Sequence, residues 1–402
     1  MTKSDDKRVP ALRFKGFTDE WEQRKLENIT KRISRKNLNL DSTLPLTISA
    51  QYGLVDQRKF FDKQIASKKL ENYLLLKNGE FAYNKSYSKD YPFGAIKRLN
   101  NYKLGVLSTI YIAFKPVSIN TDYLEEYFDS TKWYKEIYKR ATEGARNHGL
   151  LNISPQDFFE LNLSIPNNRI EQERISEILK LLSLLITLQQ RKLKDYSLIK
   201  KKLSNIFFND TIVNQNNFLF KHRVKASQLF ISFSKKGFVH LPVLSASQDK
   251  GMIFREDESK NILYAHNNLT NYKLVEPDDF VVHLRSFQGG FAYSDKTGIA
   301  SPAYTIFKFK DDVDYNPVYW KEKFKSYNFI QLLKKVTYGV RDGRSISFSD
   351  FLSLYLTFPD IEIQNKIGSA LSKLDTQISD QKKIIKKLEN VKQFLLQIVN
   401  RF

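Results

Sequence analysis

The sequence predicts an α+β chain built from one unit used twice, a globular domain followed by a long helix. Three observations carry the prediction. Apolar residues at Ile175, Leu179, Leu182, Ile186, Leu193, Leu203 and Ile206 recur 192 positions later as Ile367, Leu371, Leu374, Ile378, Ile385, Leu395 and Ile398. The segments ahead of the two series also match each other, more loosely. The length, 402 residues, holds two domains with connecting elements. A repeat on this scale dictates the architecture. The expected boundaries are a first domain at 1–166, a central helix at 167–210, a second domain at 211–359 and a C-terminal helix at 360–402.

Local pattern supplies the elements in order. Leu-Pro-Leu-Thr-Ile-Ser-Ala at 44–50 matches Leu-Pro-Val-Leu-Ser-Ala at 241–246, and each is followed by a glycine turn, at Gly53 or Gly251. The stretch Tyr73–Phe81 matches Tyr272–Phe280, a strand following a tight turn. Ser108–Phe114 matches Ser301–Phe307, where the alternation predicts another strand. Helices are expected over 122–141 and 316–336, both rich in aromatic and basic residues. Each runs into a Thr-x-Gly-x-Arg loop, at 142–149 and 337–344, then into Ile-Ser-x-x-Asp-Phe and a short strand ending at a proline.

Within the two long helices the apolar spacing alternates four and three, the seam of a coiled coil. A helix of about 40 residues extends roughly 60 Å, too long for a simple connector. Two seams of equal length predict that the helices pair with each other; separate packing of each on its own domain is the alternative. Both seams are interrupted at matching places, by Gln189 and Lys200 and by Gln381 and Lys392. Parallel, in-register pairing would set the lysines against each other, a like-charge contact. Antiparallel pairing sends them to opposite ends and leaves the glutamines in the same or neighbouring central layers, able to fix register. An antiparallel coiled coil with pseudo-two-fold symmetry between the domains is therefore expected, with a wet seam edge as the alternative place for these residues.

Composition narrows the partners. The net charge is +21, which points to a polyanion such as DNA or RNA, since each neutralised phosphate releases counterions. There is no cysteine, which excludes disulfides, thiolate metal sites and cysteine nucleophiles. The first residues lack the apolar core of a signal peptide, and the longest apolar run, Leu181–Leu188, is far short of the roughly 20 residues a spanning helix needs. No membrane association and a cytoplasmic location are expected.

Catalytic motifs do not survive inspection. Asn316-Pro317-Val318-Tyr319 resembles the Asn-Pro-Pro-aromatic motif of adenine methyltransferases but lacks the second proline, and no glycine-rich cofactor loop accompanies it. It reads as a helix start with proline near the first turn. Glu258-Ser259-Lys260 has the shape of half a nuclease motif without its upstream partner. No phosphate-binding Gly-Lys-Ser/Thr loop is present, and the histidines at 148, 222, 240, 266 and 283 show no ligand-like pairing.

Residue types that read bases and hold phosphates gather at two places in each half. The first is the loop after the Phe81 or Phe280 strand. It carries Asn84, Lys85, Ser86, Tyr87 and Lys89 in one half and Arg285, Ser286 and Gln288 in the other. The second is the Thr-x-Gly-x-Arg loop, with Arg146, Asn147 and His148, or Arg341, Asp342 and Arg344. Arg32 and Arg35, in a basic stretch, are phosphate-contact candidates, a solvated turn being the alternative. The two sets differ, so two different half-sites and an asymmetric target are expected.

The domain–helix–domain–helix order resembles the specificity subunit of type I restriction-modification systems. Each helix opens after a proline, Pro166 or Pro359, with Gln172 ahead of Ile175 and Gln364 ahead of Ile367. The opening Leu12-Arg13-Phe14-Lys15-Gly16-Phe17, then Glu20-Trp21 and Lys25-Leu26, is also similar to how such chains begin. The resemblance implies a noncatalytic reader of double-stranded DNA with two target-recognition domains separated by an antiparallel coiled coil. It implies two docked methyltransferase subunits, on which S-adenosylmethionine would be bound, and restriction (translocase) subunits that use ATP and Mg²⁺. The helices would present equivalent surfaces to identical partners, and no cofactor or metal would be bound by the chain itself. A stand-alone DNA methyltransferase or nuclease, and a nonspecific nucleic-acid-binding scaffold, are the competing readings.

Overall fold

The computed structural model describes residues 12–62, 69–141, 150–208, 222–247, 250–257, 266–283, 290–311, 313–334, 336 and 347–398. The chain divides into two compact units, Met1–Gln189 with Ile384–Phe402, and Gln190–Lys383.

The strands of the first unit are β1 (Glu22–Lys25), β2 (Thr30–Arg32), β3 (Leu46–Ser49), β4 (Gly53–Asp56), β5 (Leu74–Lys77), β6 (Phe81–Asn84), β7 (Ala95–Arg98), β8 (Leu104–Leu107), β9 (Ile112–Pro116) and β10 (Asn162–Ile165). Its helices are α1 (Leu26–Ile29), α2 (Gln57–Phe61), α3 (Thr121–Asp129), α4 (Tyr134–Arg140), α5 (Pro155–Phe159) and the first half of α6 (Arg169–Phe207). The second unit carries β11 (His222–Lys225), β12 (Phe230–Phe233), β13 (Leu244–Ser247), β14 (Gly251–Phe254), β15 (Lys273–Val275), β16 (Phe280–Val282), β17 (Phe291–Tyr293), β18 (Gly298–Ala300), β19 (Thr305–Phe309) and β20 (Tyr355–Phe358). Its helices are α7 (Ala226–Leu229), α8 (Pro317–Lys325), α9 (Tyr327–Lys334), α10 (Phe348–Ser353) and the first part of α11 (Ile361–Ile398).

Strand pairing is the same in both units. The sheet β2-β9-β6-β7 recurs as β12-β19-β16-β17, and the pairs β1-β10, β3-β4 and β5-β8 recur as β11-β20, β13-β14 and β15-β18. All these pairs are antiparallel. An isolated parallel bridge recurs as well, Pro45 with Val106 and Val243 with Ile299. The duplicated α+β domain expected from the sequence is therefore present down to single bridges.

Side-chain alternation explains how each four-stranded sheet is held. On one face of the first, Phe81, Tyr83, Ile96, Ile112 and Phe114 pack against residues of α3, α4 and α5. On the other face, Ala82, Ala95 and Ala113 meet Leu46, Ile48, Leu54 and Leu76. Burial on both faces is why these strands read as nearly continuous apolar runs. The second unit repeats the scheme, with Phe280, Phe291 and Phe307 on one side and Val281, Ala292 and Ile306 on the other. The stacked pair Phe81–Phe114, 5.4 Å between ring centres, reappears as Phe280–Phe307 at 5.5 Å. The expected glycine turns are real: Gly53 and Gly251 have φ of 79° and 77°, a region that glycine enters without steric cost.

One expectation is corrected. The single helices expected over 122–141 and 316–336 are each two helices, α3 with α4 and α8 with α9. Serine is the cause. Ser130 Oγ donates to Tyr127 O at 2.6 Å, and Ser326 Oγ donates to Lys323 O at 2.7 Å and accepts from Phe329 N at 3.3 Å. Both serines have extended backbone; α3 ends at Ser130 with α4 starting at Tyr134, and α8 ends at Ser326 with α9 starting directly after it at Tyr327.

The start of each long helix is clamped to its domain by the glutamine quoted above. Gln172 accepts from Asn120 N at 2.8 Å and donates to Pro166 O at 2.7 Å. Gln364 accepts from Asn316 N and Trp320 Nε1, both at 3.1 Å, and donates to Pro359 O at 2.9 Å. Asn120 and Asn316 in turn cap α3 and α8 through Tyr123 N and Tyr319 N, each at 2.9 Å. The Asn-Pro-x-Tyr segment is thus a helix start, as its sequence suggested.

Inside each unit the long helices run antiparallel. In the first, Lys392 Nζ donates to Ser183 Oγ at 2.7 Å, and Leu395 and Leu396 join the core that holds Ile175 and Leu179. In the second, Lys200 Nζ lies 2.7 Å from Asp375, and Leu203 and Phe207 join the core that holds Ile367 and Leu371. Each domain is completed by the far half of the other repeat's helix. Helix–helix pairing, rather than separate packing of each helix on its own domain, is what the structure contains.

Candidate nucleic-acid interface

Strand β6 delivers the first candidate loop. Its last residue, Asn84, accepts a hydrogen bond from Ser86 N at 3.0 Å, which turns the chain out of the sheet. Ser88 and Tyr91 exchange backbone hydrogen bonds at 3.1 and 3.2 Å and close the loop. Gly94 then passes so near the Asn84 carbonyl that a Cβ would collide with it, and its φ is 77°. Ser86, Tyr87 and Lys89 are left exposed, while Asn84 and Lys85 are half-buried.

The structure brings this loop to the end of the other candidate segment of the same half. Ser86 forms an antiparallel bridge with Leu150, and Leu151 N donates to Lys85 O at 3.0 Å. Lys85 Nζ also reaches Ile153 O at 3.4 Å. Lys85 and Ser86 therefore pair with Leu150 and Leu151, the first described residues after the second candidate loop, some sixty residues away in sequence. Arg146, Asn147 and His148 lie outside the described residues, immediately ahead of that ladder.

In the second domain Arg285, Ser286, Gln288, Arg341, Asp342 and Arg344 all lie outside the described residues. What is described is the base of the first loop, where His283 N donates to Gly290 O at 2.9 Å between β16 and β17. The half nuclease motif at 258–260 is also outside the described residues.

The two basic candidates near the first strands have different surroundings. Arg32 ends β2, which pairs with β9, and its side chain is exposed with no hydrogen-bond or ion-pair partner among the described residues. Arg35 is engaged within the domain. Its Nη2 donates to Leu75 O at 2.8 Å and to Glu80 Oε2 at 2.7 Å, and Glu80 also accepts from Lys77 N at 2.7 Å. In the second domain Asp279 takes the place of Glu80 in the turn, accepting from Glu276 N at 2.6 Å. Burial pushes the Asp279 carboxyl up to about 7, against the opposing pull of that backbone donor and of Lys308 and Lys235.

Among the described residues no cluster of three or more His, Asp or Glu could hold a metal ion. None of the described helices is long and apolar enough to cross a membrane. Sequence reasoning missed the roles of Glu126 and Glu322, both buried, which receive Lys392 at 3.2 Å and Lys200 at 3.1 Å. A signal existed, since both glutamates fall in matching helices of the two domains.

The fold defines a class of chain in which an α+β domain and a long helix each occur twice. Residues 204–390 match the family model described as the type I restriction modification DNA specificity domain. Solved structures share the fold along nearly the whole chain. The type I restriction-modification system S subunit from M. genitalium is 12% identical over 97% of this chain and 98% of that one, with a TM-score of 0.57. A structure described as underlying complex assembly and conformational transition of the type I R-M system is 11% identical, covers 95% and 97%, and has a TM-score of 0.53. The HsdS subunit from Thermoanaerobacter tengcongensis is 12% identical over 95% and 97%, with a TM-score of 0.48. No curated protein shows a significant match. Residues 204–390 thus match a type I DNA specificity domain, and the chain has the fold of solved type I S subunits, so the resemblance expected from the sequence holds.

Proposed function

We propose that this chain is the DNA-recognition subunit of a type I restriction-modification complex. It reads an asymmetric, two-part duplex site, docks methyltransferase subunits and through them restriction subunits, and performs no catalysis itself. S-adenosylmethionine, ATP and Mg²⁺ belong to those partners. One observation carries the reading: the specificity-domain match at 204–390 covers the second copy of an architecture that 22–165 builds as well. Two recognition domains, bounded at 1–166 and 211–359, give two half-sites. The net charge of +21 supports a duplex partner through its phosphates. Arg146, Asn147 and His148 against Arg341, Asp342 and Arg344 supply different base-reading chemistry to the two halves.

Co-expression with the cognate methyltransferase subunit, followed by genome-wide mapping of N6-methyladenine, tests this. A two-part asymmetric motif is expected. Methylation without sequence preference would favour a nonspecific scaffold, and methylation by this chain alone would make it an enzyme.

A further inference from the structure

We propose that the turn between β8 and β9 is a further base-reading element of the first domain, and that Ile110 at its tip reads one thymine of the target through the C5 methyl group. The proposal rests on the functional reading above; which residue reads which base does not follow from that reading.

The same turn is built twice in the chain. Between β8 and β9, Tyr111 N donates to Ser108 O at 3.3 Å and Ile110 N donates to Ser108 Oγ at 3.5 Å. Between β18 and β19, Tyr304 N donates to Ser301 O at 3.0 Å and Ala303 N donates to Ser301 Oγ at 3.3 Å. A tyrosine anchors each turn from inside. Tyr111 packs on the core that holds Leu46 and Leu76, and Tyr304 on the core that holds Val275 and Val281. The two residues at each tip differ, Thr109-Ile110 against Pro302-Ala303. Ile110 is 62% exposed, and Ala303 is exposed in its place. A turn held by a serine hydroxyl and its own backbone needs no large apolar side chain at the tip. The fold therefore does not account for the isoleucine.

Strand pairing sets this turn among the candidate loops. Ile112 pairs with Tyr83, so the turn enters the sheet beside the point where β6 passes into the loop of Asn84 and Lys85. Thr305 pairs with Val282 in the same way, and the rings of Tyr304 and His283, at the base of the matching loop, lie 6.2 Å apart. Lys36, Leu74 and Leu107 form one row across three strands. The chain at 37–40 thus leaves that row about 10 Å from Ser108, two strand spacings away. Asn37 is fully buried and holds this neighbouring turn, donating to Ser42 O at 2.8 Å and accepting from Ser42 N at 3.2 Å. Leu38, which follows it, is 70% exposed. Ile110 is therefore one of two aliphatic tips presented at the end of the domain where the first loop emerges.

The surroundings of each tip select the ligand. Exposed polar residues adjoin both, Thr109 beside Ile110 and Asn39 beside Leu38. Single aliphatic side chains among polar ones do not make the continuous apolar face that marks a protein partner's site. They suit a methyl group set among hydrogen-bonding edges. Thymine presents that pattern in the major groove, its C5 methyl beside the O4 acceptor, and apolar contact is how the methyl is read. The other three bases offer Ile110 no methyl. Arginine, asparagine and glutamine on the neighbouring loops read polar edges, so the turn adds a chemistry that those loops lack.

Fluorescence anisotropy of target duplexes with the full chain in complex with its methyltransferase subunit tests the proposal. Each thymine of the mapped target, on either strand, is replaced in turn by deoxyuridine, which removes only the methyl group. The expected result is a position in one half-site where the wild type loses roughly fourfold in affinity, the worth of one buried methyl. Ile110→Ala should melt like the wild type and bind the thymine and deoxyuridine duplexes alike at that position. If no thymine shows a loss that Ile110→Ala abolishes, the proposal is overturned and the functional reading stands. A wild-type complex that binds all duplexes alike overturns both.

Discussion

Lys392, ten residues from the end of the chain, lies 3.2 Å from Glu126 of the first domain, and both side chains are largely buried. The second unit repeats the relationship with Lys200 and Glu322 at 3.1 Å, adding Asp375 at 2.7 Å. A lysine in a coiled-coil seam ordinarily weakens it. Here each lysine ties the end of one repeat's helix to the domain of the other repeat. The seam interruptions that mark Lys200 and Lys392 in the sequence are therefore ties between helix and domain.

Removing a tie should be costly. Lys392→Met leaves Glu126 buried without its counter-charge, an expected loss of about 3 kcal/mol or more in the first unit. Adding Glu126→Gln should recover part of it, and a double-mutant cycle in guanidinium denaturation measures the coupling. Burial already raises the Glu126 carboxyl, with Lys392 opposing. Without Lys392 the folded form holds its proton to still higher pH. The extra loss should therefore appear above the ordinary carboxylate range and fade in acid, where folded and unfolded forms are both protonated.

These ties also mark where sequence reading stops. The seams, the strands and the glycine turns were legible because period, alternation and the internal repeat are properties of neighbouring residues. The partners of Lys392 and Arg35 were not, since Glu126 and Glu80 are brought to them by tertiary folding. An arginine in a polar stretch looks the same whether it faces a phosphate or a carboxylate. The breaks at Ser130 and Ser326 escaped notice because no glycine or proline marks them; the backbone turns extended there while each serine bonds back to the preceding turn. The ladder joining Ser86 to Leu150 was unreadable for the same long-range reason, although both loops were singled out separately.

Asp279 should make the second domain sensitive to pH. Its ordinary value is 3.8 and burial raises it to about 7 in the fold. Between those values the folded form binds a proton that the unfolded form has lost, so stability falls as pH rises through that window and levels off above it. One proton sets a limiting slope of about 1.4 kcal/mol per pH unit. Asp279→Asn keeps an acceptor for Glu276 N and should flatten the slope. Melting curves taken from pH 4 to pH 8 read it directly, and an unchanged slope in the variant would assign the titration elsewhere.

Arg32 and Arg35 should separate cleanly. Arg35→Met removes donors to Leu75 O and the Glu80 carboxylate, and should lower stability by about 1–3 kcal/mol. Arg32→Ala touches nothing described in the fold and should leave the melting temperature unchanged. If Arg32 meets a phosphate, its loss weakens DNA binding on all sequences alike and reduces the salt slope by about 1. Fluorescence anisotropy against salt, beside a thermal melt, tests both. A stability loss at Arg32, or a salt-slope change confined to Arg35, would reverse the two roles.

Arg341 tests the asymmetry of the target. It belongs to the second domain's Thr-x-Gly-x-Arg loop, at the place that Arg146 holds in the first. Arginine reads guanine through paired donors, and such a contact discriminates by about 1–3 kcal/mol. Arg341→Ala should therefore relax or abolish one half-site while the other keeps its sequence, because the first domain carries its own loops on its own sheet. Arg146→Ala should do the converse. Mapping N6-methyladenine in cells that express each variant with the methyltransferase subunit distinguishes the outcomes. Both half-sites degrading together would mean that the loops act through shared affinity for the duplex. An unchanged motif with unchanged affinity would remove Arg341 from the interface.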